Sequence, residues 1–200
     1  ALSCLGLSSC SNKRLEGTSL EANVINDNYR TFYEIFVGGF SDSNNDGMGD
    51  LRGIINRFDY LNDGDLNSGE SLGINGIWLM PIMPSPSYHK YDVANYKAID
   101  KKYGTMEDFD ELSKLCNERD VKLIIDLVLN HSSTQHPWFK QCTEAIKNGD
   151  LNNKYVDYYT IVTKEEVKQS SGHVYYQIGN TDYYYEGNFS DQMPELNYDN

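Results

Sequence analysis

Nine consecutive residues, Asp42-Ser43-Asn44-Asn45-Asp46-Gly47-Met48-Gly49-Asp50, set oxygen-bearing side chains at alternate positions and glycines where the chain must turn tightly. Calcium takes roughly six to eight hard oxygen ligands, so Asp42, Asn44, Asp46, Asp50 and the Met48 carbonyl form a candidate Ca2+ set. The spacing resembles the first half of an EF-hand loop. The twelfth position, however, is Gly53, where an EF-hand requires a bidentate glutamate, and a strand-like run precedes the loop instead of a helix. An acidic solvated turn is the plainer alternative; the run of met ligand requirements favours calcium. A second cluster, Asp126-Leu127-Val128-Leu129-Asn130-His131, gathers a carboxylate, an amide and an imidazole at the end of a strand-like run. Such groups suit a polar substrate. A lone strand-end aspartate or histidine is more often structural, so the weight of the cluster depends on the fold that presents it.

The elements that would present it follow from periodicity. Thr31 to Val37, rich in aromatic and β-branched residues, reads as a strand. Leu51, Ile54, Ile55, Phe58 and Leu61 fall at helical spacing and make one apolar face. Ile74 to Met80 is a second strand, stopped by Pro81. Thr105 is placed to cap the next helix, with Asp108 three residues on as a capping box and Phe109, Leu112 and Leu115 as the buried face. Val121 to Leu129 is a third strand, and its run Leu123-Ile124-Ile125 is what a parallel strand covered on both sides requires. Strand, helix, strand, helix, strand predicts an α/β fold with a parallel sheet. Three such units are part of an eight-stranded barrel, in which functional groups gather at the C-terminal ends of the strands. After His131 the alternation stops. Residues 150–200 are rich in Tyr, Asn, Asp and Gly, with short strand-like runs at Tyr158 to Val162 and Val174 to Tyr176.

Seventeen basic and thirty acidic residues give a net charge of −13, which opposes binding to nucleic acid or an anionic membrane and leaves a neutral substrate unhindered. The 16 tyrosines suit sugar rings, although they are also ordinary surface residues. Residues 1–30 are expected to be a signal-peptide remnant and a linker. Leu7-Ser8-Ser9-Cys10, followed by polar Ser11-Asn12-Lys13-Arg14, resembles a bacterial lipoprotein signal in which Cys10 would carry the lipid anchor. A secreted or cell-surface lipoprotein is the expected location. Cys116 and Cys142 sit in helix-like segments without metal-ligand spacing and read as free, buried thiols.

Asp126 to His131 resembles the first signature segment of the α-amylase family, glycoside hydrolase family 13, and other segments appear in the family's order. Gly73 to Pro81 resembles its second barrel strand. Ser85-Pro86-Ser87-Tyr88-His89-Lys90-Tyr91-Asp92-Val93 resembles the substrate-facing loop that follows, and Met193-Pro194-Glu195-Leu196-Asn197 a short motif near the end of the inserted domain B. The Asp42 to Asp50 loop is similar to the family's N-terminal calcium loop. The implied architecture is the N-terminal part of a (β/α)8 TIM barrel, with residues 31–131 as its first three β/α units and residues 132–200 as an irregular, β-rich domain B inserted after the third strand.

The resemblance implies that Tyr91 stacks on the sugar before the scissile bond, that His131 hydrogen-bonds that sugar, and that His89 of the same loop also meets substrate. Asp126 is implied to be a buried carboxylate that orients an arginine, and Asn130 supports the strand end and in many relatives ligates a calcium shared with domain B. Two positions depart from the pattern: Lys90 stands where glycine is usual, and Glu195 where aspartate is usual. Family members retain anomeric configuration through a carboxylate nucleophile and a carboxylic acid about 5–5.5 Å apart. The resemblance places the nucleophile Asp, the acid Glu and a stabilising Asp after the fourth, fifth and seventh strands, beyond Asn200, so no catalytic carboxylate is expected in these residues and the 200-residue piece alone is expected to be inactive. The expected activity of the parent is hydrolysis of α-1,4-glucans in the manner of an α-amylase. An oligo-α-1,6-glucosidase or α-glucosidase, a non-catalytic glucan-binding surface lipoprotein, and a calcium-binding structural module are the competing readings.

Overall fold

The computed structural model describes residues 30–65 and 67–199. The signal-peptide, linker and Cys10 anchor expectations therefore lie outside the described residues, apart from Arg30.

Strand β1 (Phe32–Ile35) is followed by the short helix α1 (Val37–Phe40), then α2 (Leu51–Asn56) and α3 (Phe58–Leu61). Strand β2 (Gly76–Leu79), helix α4 (Met106–Glu118) and strand β3 (Lys122–Ile125) complete the first half. The sheet order is β1-β2-β3 with both pairings parallel, so that Tyr33, Ile77 and Leu123 lie in one row. Parallel neighbours need a long crossover; α2 and α3 carry the first and α4 the second.

The helix expected through Leu51 to Leu61 is two short ones that meet at Arg57, whose N–H bonds back to Gly53 O and Ile54 O at 3.1 Å each. Its apolar face survives the break, because Leu51, Ile54, Phe58 and Leu61 are all buried. At the start of α4 the capping box is complete: Thr105 Oγ1 accepts from Asp108 N at 3.2 Å and Asp108 Oδ2 accepts from Thr105 N at 2.9 Å. Arg52 of α2 donates to Asp108 Oδ1 and Glu111 Oε2 of α4, both at 2.7 Å, and locks the two helices on one side of the sheet. Leu112 is buried in the core between them and the strands, with Phe109 and Leu115 packed partly against it.

Strand pairing of β3 ends at Ile125, short of the expected Leu129. The run Leu123-Ile124-Ile125 was expected to be covered on both faces, yet Ile124 is 46% and Ile125 37% exposed. Strand β3, like β1, is an edge strand of this sheet and pairs on one side only among the described residues.

Beyond His131 the chain forms α5 (Pro137–Lys147), β4 (Ile161–Thr163), α6 (Lys164–Gln169), β5 (Tyr175–Gln177) and β6 (Tyr183–Glu186). The three strands make a small antiparallel sheet in the order β4-β6-β5. This half has its own core, in which Phe139, Cys142 and Ile146 of α5 meet Tyr159, Ile178 and Tyr185. Cys116 and Cys142 are free and buried, and burial pushes both thiols up to about 12, so neither is a ready nucleophile. The Met193 to Asn197 segment returns to the end of β3: Ser132 N donates to Pro194 O and Leu196 N to Asn130 O. His131 and Glu195 thereby form an isolated antiparallel bridge.

Candidate active-site wall

The loop after β2 and the segment after β3 meet at the C-terminal ends of their strands. Tyr91 is held at three points. Its hydroxyl donates to Asp126 Oδ2 at 2.9 Å, its backbone N–H donates to His89 Nδ1 at 3.1 Å, and its carbonyl lies 3.2 Å from His131 Nε2. Burial, then the neighbouring Asp126, pushes the Tyr91 phenol up to about 12, so it remains a donor throughout the ordinary pH range.

His131 is 4% exposed, and burial holds it below the usual histidine value, neutral at pH 7. Asn130 Nδ2 lies 3.2 Å from His131 Nδ1 and also donates to Glu195 Oε2. The tautomer that fits accepts from Asn130 at Nδ1 and donates from Nε2 to the Tyr91 carbonyl. Similarly, His89 Nδ1 accepts from the Tyr91 amide, which assigns the proton to Nε2 and leaves one N–H for a ligand. His89, Tyr91 and His131, together with Phe189 and Met193, line a cavity of about 430 Å3. Phe189 comes from the second half of the chain, 71% exposed, with its ring 5.2 Å from that of His131.

Thus Tyr91, His131 and His89 share one cavity, and Asp126 stands behind it through the Tyr91 hydroxyl. Asp126 is half-buried, and among the described residues its hydrogen-bond partner is Tyr91 instead of an arginine. Phe189 carries no motif signal, and only folding of the second half brings it to the site. Asp92 is buried and accepts from the hydroxyls of Ser85, at 2.6 Å, and Ser87, closing the loop on itself. Glu195, one methylene longer than the usual aspartate, reaches both Asn130 and the backbone N–H of Asn188, the latter at 3.3 Å. Burial, assisted by Glu186, raises its carboxyl above the ordinary range.

The Asp42 to Asp50 loop is separate from this cavity. Asp42 Oδ1 accepts from the amides of Asn44 at 3.0 Å and Asn45 at 2.7 Å, and Oδ2 from Gly47 at 2.8 Å. These bonds, that of Gly47 first, hold its carboxyl below the usual range. Asn44 Oδ1 accepts from Asp46 N and Asp46 Oδ1 from Met48 N, each at 2.9 Å. Asn45 and Gly47 are left-handed, with φ of 63° and 88°. Asp50 turns away to cap α2, accepting from Gly53 N at 2.6 Å and from the Ser43 hydroxyl at 2.9 Å. Among the described residues, no three His, Cys, Asp or Glu side chains converge closely enough to hold a metal by themselves. A side chain at Gly53, the twelfth position, is sterically barred, since a Cβ there would lie 1.9 Å from the Ser41 carbonyl.

The chain is similar to known proteins over most of its length. The profile of the "Alpha amylase, catalytic domain" family matches residues 34–200. Alpha-amylase 3 of Dictyoglomus thermophilum is 44% identical over 169 residues, covering 84% of this chain and 30% of that protein. The Oligo-1,6-glucosidase of Bacillus cereus is 43% identical over 176 residues, covering 84% of this chain and 29% of that protein. Among solved structures, Eubacterium rectale Amy13B superposes with a TM-score of 0.75 at 48% identity, covering 87% of this chain and 32% of the other. The α-amylase from H. orenii gives 0.71 at 44%, covering 86% and 34%. The chain therefore spans about three tenths of the length of these relatives and corresponds to the N-terminal part of a (β/α)8 barrel enzyme. It belongs to the α-amylase family, glycoside hydrolase family 13.

Proposed function

We propose that this chain supplies one wall of the active site of a retaining hydrolase of α-glucans, acting on α-1,4 linkages in the manner of an α-amylase. The observation that carries the reading is the shared cavity. Tyr91 presents an apolar ring for a sugar face and His89 offers an N–H, while neutral His131, both ring nitrogens engaged by Asn130 and the Tyr91 carbonyl, holds Tyr91 in place at the cavity. These groups bind and orient; the carboxylates that break the bond are expected on the later strands. In this arrangement residues 31–131 are the first barrel units and residues 132–200 the inserted domain, which contributes Phe189 and Met193 to the cavity. The test is product analysis of the intact enzyme on soluble starch and on isomaltose. Short maltooligosaccharides from starch support the reading.

A second reading, an oligo-1,6-glucosidase, is favoured by the similarity to the Bacillus cereus protein of that name. Glucose from isomaltose alone would establish it instead. Starch bound without any product would point to a non-catalytic surface protein.

Calcium in the Asp42 loop belongs to the same proposal. The donor set suits it: hard oxygens at alternate positions, with Asn44 and Asp46 each spending one backbone bond and keeping further lone pairs. Asp42, Asn44, Asp46 and the Met48 carbonyl would hold the ion, whose chemistry would be structural, while Asp50, expected in the set, is instead committed to the cap of α2 and to Ser43. Attachment to the cell surface through Cys10 rests on the Leu7 to Cys10 sequence and is checked by metabolic lipid labelling.

A further inference from the structure

Lys90 stands immediately before Tyr91 with φ of 67°, in the left-handed region that favours glycine. A lysine has no conformational reason to be there, and its side chain supplies the explanation. Lys90 is only 5% exposed, and its Nζ meets Asp100 Oδ2 at 2.7 Å. The ammonium also lies 5.3 Å from the centre of the Tyr103 ring and 3.4 Å from the Ser85 carbonyl. Both members of the ion pair are buried, with side-chain exposures of 6% and 9%.

Asp100 is itself fixed. Its backbone N–H donates to Ile82 O at 2.8 Å, directly beyond the end of β2, and its Oδ1 accepts from Lys102 N at 2.9 Å. Burial opposes the charge on Asp100, but the bond from Lys90 and the backbone amides outweigh it and keep the carboxyl below its ordinary value. The anchor is therefore a rigid anion at the root of the same loop that carries Tyr91. Across the tip of that loop, Asp92 gathers Ser85 and Ser87. Tyr91 lies between these two fixed points, and its backbone in turn orients His89 and meets His131.

We propose that Lys90 is a positioning residue for the sugar-binding groups: its ion pair with Asp100 clamps the left-handed turn that aims Tyr91 and His89 into the cavity. The inference rests on the α-glucan reading above. A glycine would allow the turn without holding it, and a neutral long side chain would fill the space without the pair. An error of about 1 Å in a binding group costs on the order of a hundredfold in rate, so small motions of this loop should register in kinetics before they register in stability.

The test is made on the intact enzyme with maltotriose or soluble starch as substrate. K90G keeps the backbone conformation accessible and removes the clamp. The expected result is a fold retained by near-UV circular dichroism, kcat/KM lower by tenfold or more with KM raised, and recovery to within threefold in K90R, which restores a cation. A folded K90G with wild-type kcat and KM overturns the proposal, as does a K90R no better than K90G. Should K90G fail to fold, D100E keeps the charge pair but shifts its geometry. There the proposal expects kcat/KM down at least threefold in a variant that still folds by near-UV circular dichroism, and unchanged kinetics in the folded variant overturn it. A wild-type enzyme inactive on every α-glucan would instead remove the functional reading on which the test stands.

Discussion

The Tyr91 hydroxyl donates to Asp126 Oδ2 across 2.9 Å, joining the loop after the second strand to the end of the third. One bond thus connects a side chain that lines the cavity to a carboxylate that does not. Tyr91→Phe keeps the ring and removes the bond. A hydrogen bond to a charged group contributes about 1.5–3 kcal/mol, and part of that will be recovered by water at half-buried Asp126. The expected outcome is a melting temperature lower by a few degrees and a severalfold loss in kcat/KM. Tyr91→Ala, which also deletes the ring, should lose at least tenfold more activity than Tyr91→Phe. Equal losses would mean that the hydroxyl, and not the ring face, carries the role.

His136 predicts a pH dependence. It is the N-cap of α5, and its Nδ1 accepts from Trp138 N at 3.2 Å, which only an unprotonated nitrogen can do. Burial lowers its affinity for a proton relative to the ordinary value of 6.5. The unfolded chain therefore takes up the proton first as pH falls. Stability contributed by this group is complete above pH 6.5 and declines below it, reinforced by the unfavourable positive charge at a helix N-terminus. Melting temperatures followed from pH 8 to pH 5 should fall on the acid side. His136→Asn, a good cap that does not titrate, should flatten that slope, leaving the share due to buried His131. An unaltered slope would show that His136 does not contribute.

Much of this was legible in the sequence, for local reasons. The three parallel strands and the Thr105 cap follow from periodicity and hydrogen-bond chemistry within a few residues. The loop around Tyr91 and the strand end at His131 were marked by their motifs. The break at Arg57 was hidden, because Leu51 to Leu61 keeps one apolar face whether or not the axis is continuous. Strand β6 was obscured by its composition: Tyr183-Tyr184-Tyr185 shows no polar alternation, although only Tyr185 of the three is buried. Phe189 reaching His131, and Asp100 reaching Lys90, depend on how the chain returns in space, which no local pattern records.

Calcium binding separates from simple loop folding because Asp42 organises the turn through three backbone amides, whereas Asp46 Oδ1 accepts from Met48 N alone among the described residues. Removing calcium with a chelator should lower the melting temperature of the intact enzyme by several degrees, and added Ca2+ but not Mg2+ should restore it. Asp46→Ala should abolish that calcium response at little cost to the metal-free protein. Asp42→Ala should lower stability with or without the ion. If the chelator leaves the wild-type melting temperature unchanged, the loop is held by its own hydrogen bonds alone.

Gly53 provides a steric test of the same region. Its Cβ would meet the Ser41 carbonyl oxygen at 1.9 Å and carbon at 2.6 Å, both backbone atoms that cannot swing aside. The closeness is required by the turn itself: Asp50 N donates to Ser41 O at 3.0 Å, and the Asp50 side chain caps the Gly53 amide at 2.6 Å. Gly53→Ala therefore has to push α2 away from the base of the loop and uncouple the Asp50 cap. Overpacking costs about 1–3 kcal/mol and occasionally more, and a backbone contact this short lies at the upper end, so the expected outcome is a fall in melting temperature beyond that of Gly47→Ala. At Gly47 an added Cβ meets nothing within 4 Å, and the strain is that of a left-handed φ of 88°, about 1–2 kcal/mol. The two substitutions add the same methyl group to the loop and to the helix that follows it. A Gly47→Ala variant as unstable as Gly53→Ala would mean that backbone conformation, and not the contact with Ser41, sets the tolerance of this turn.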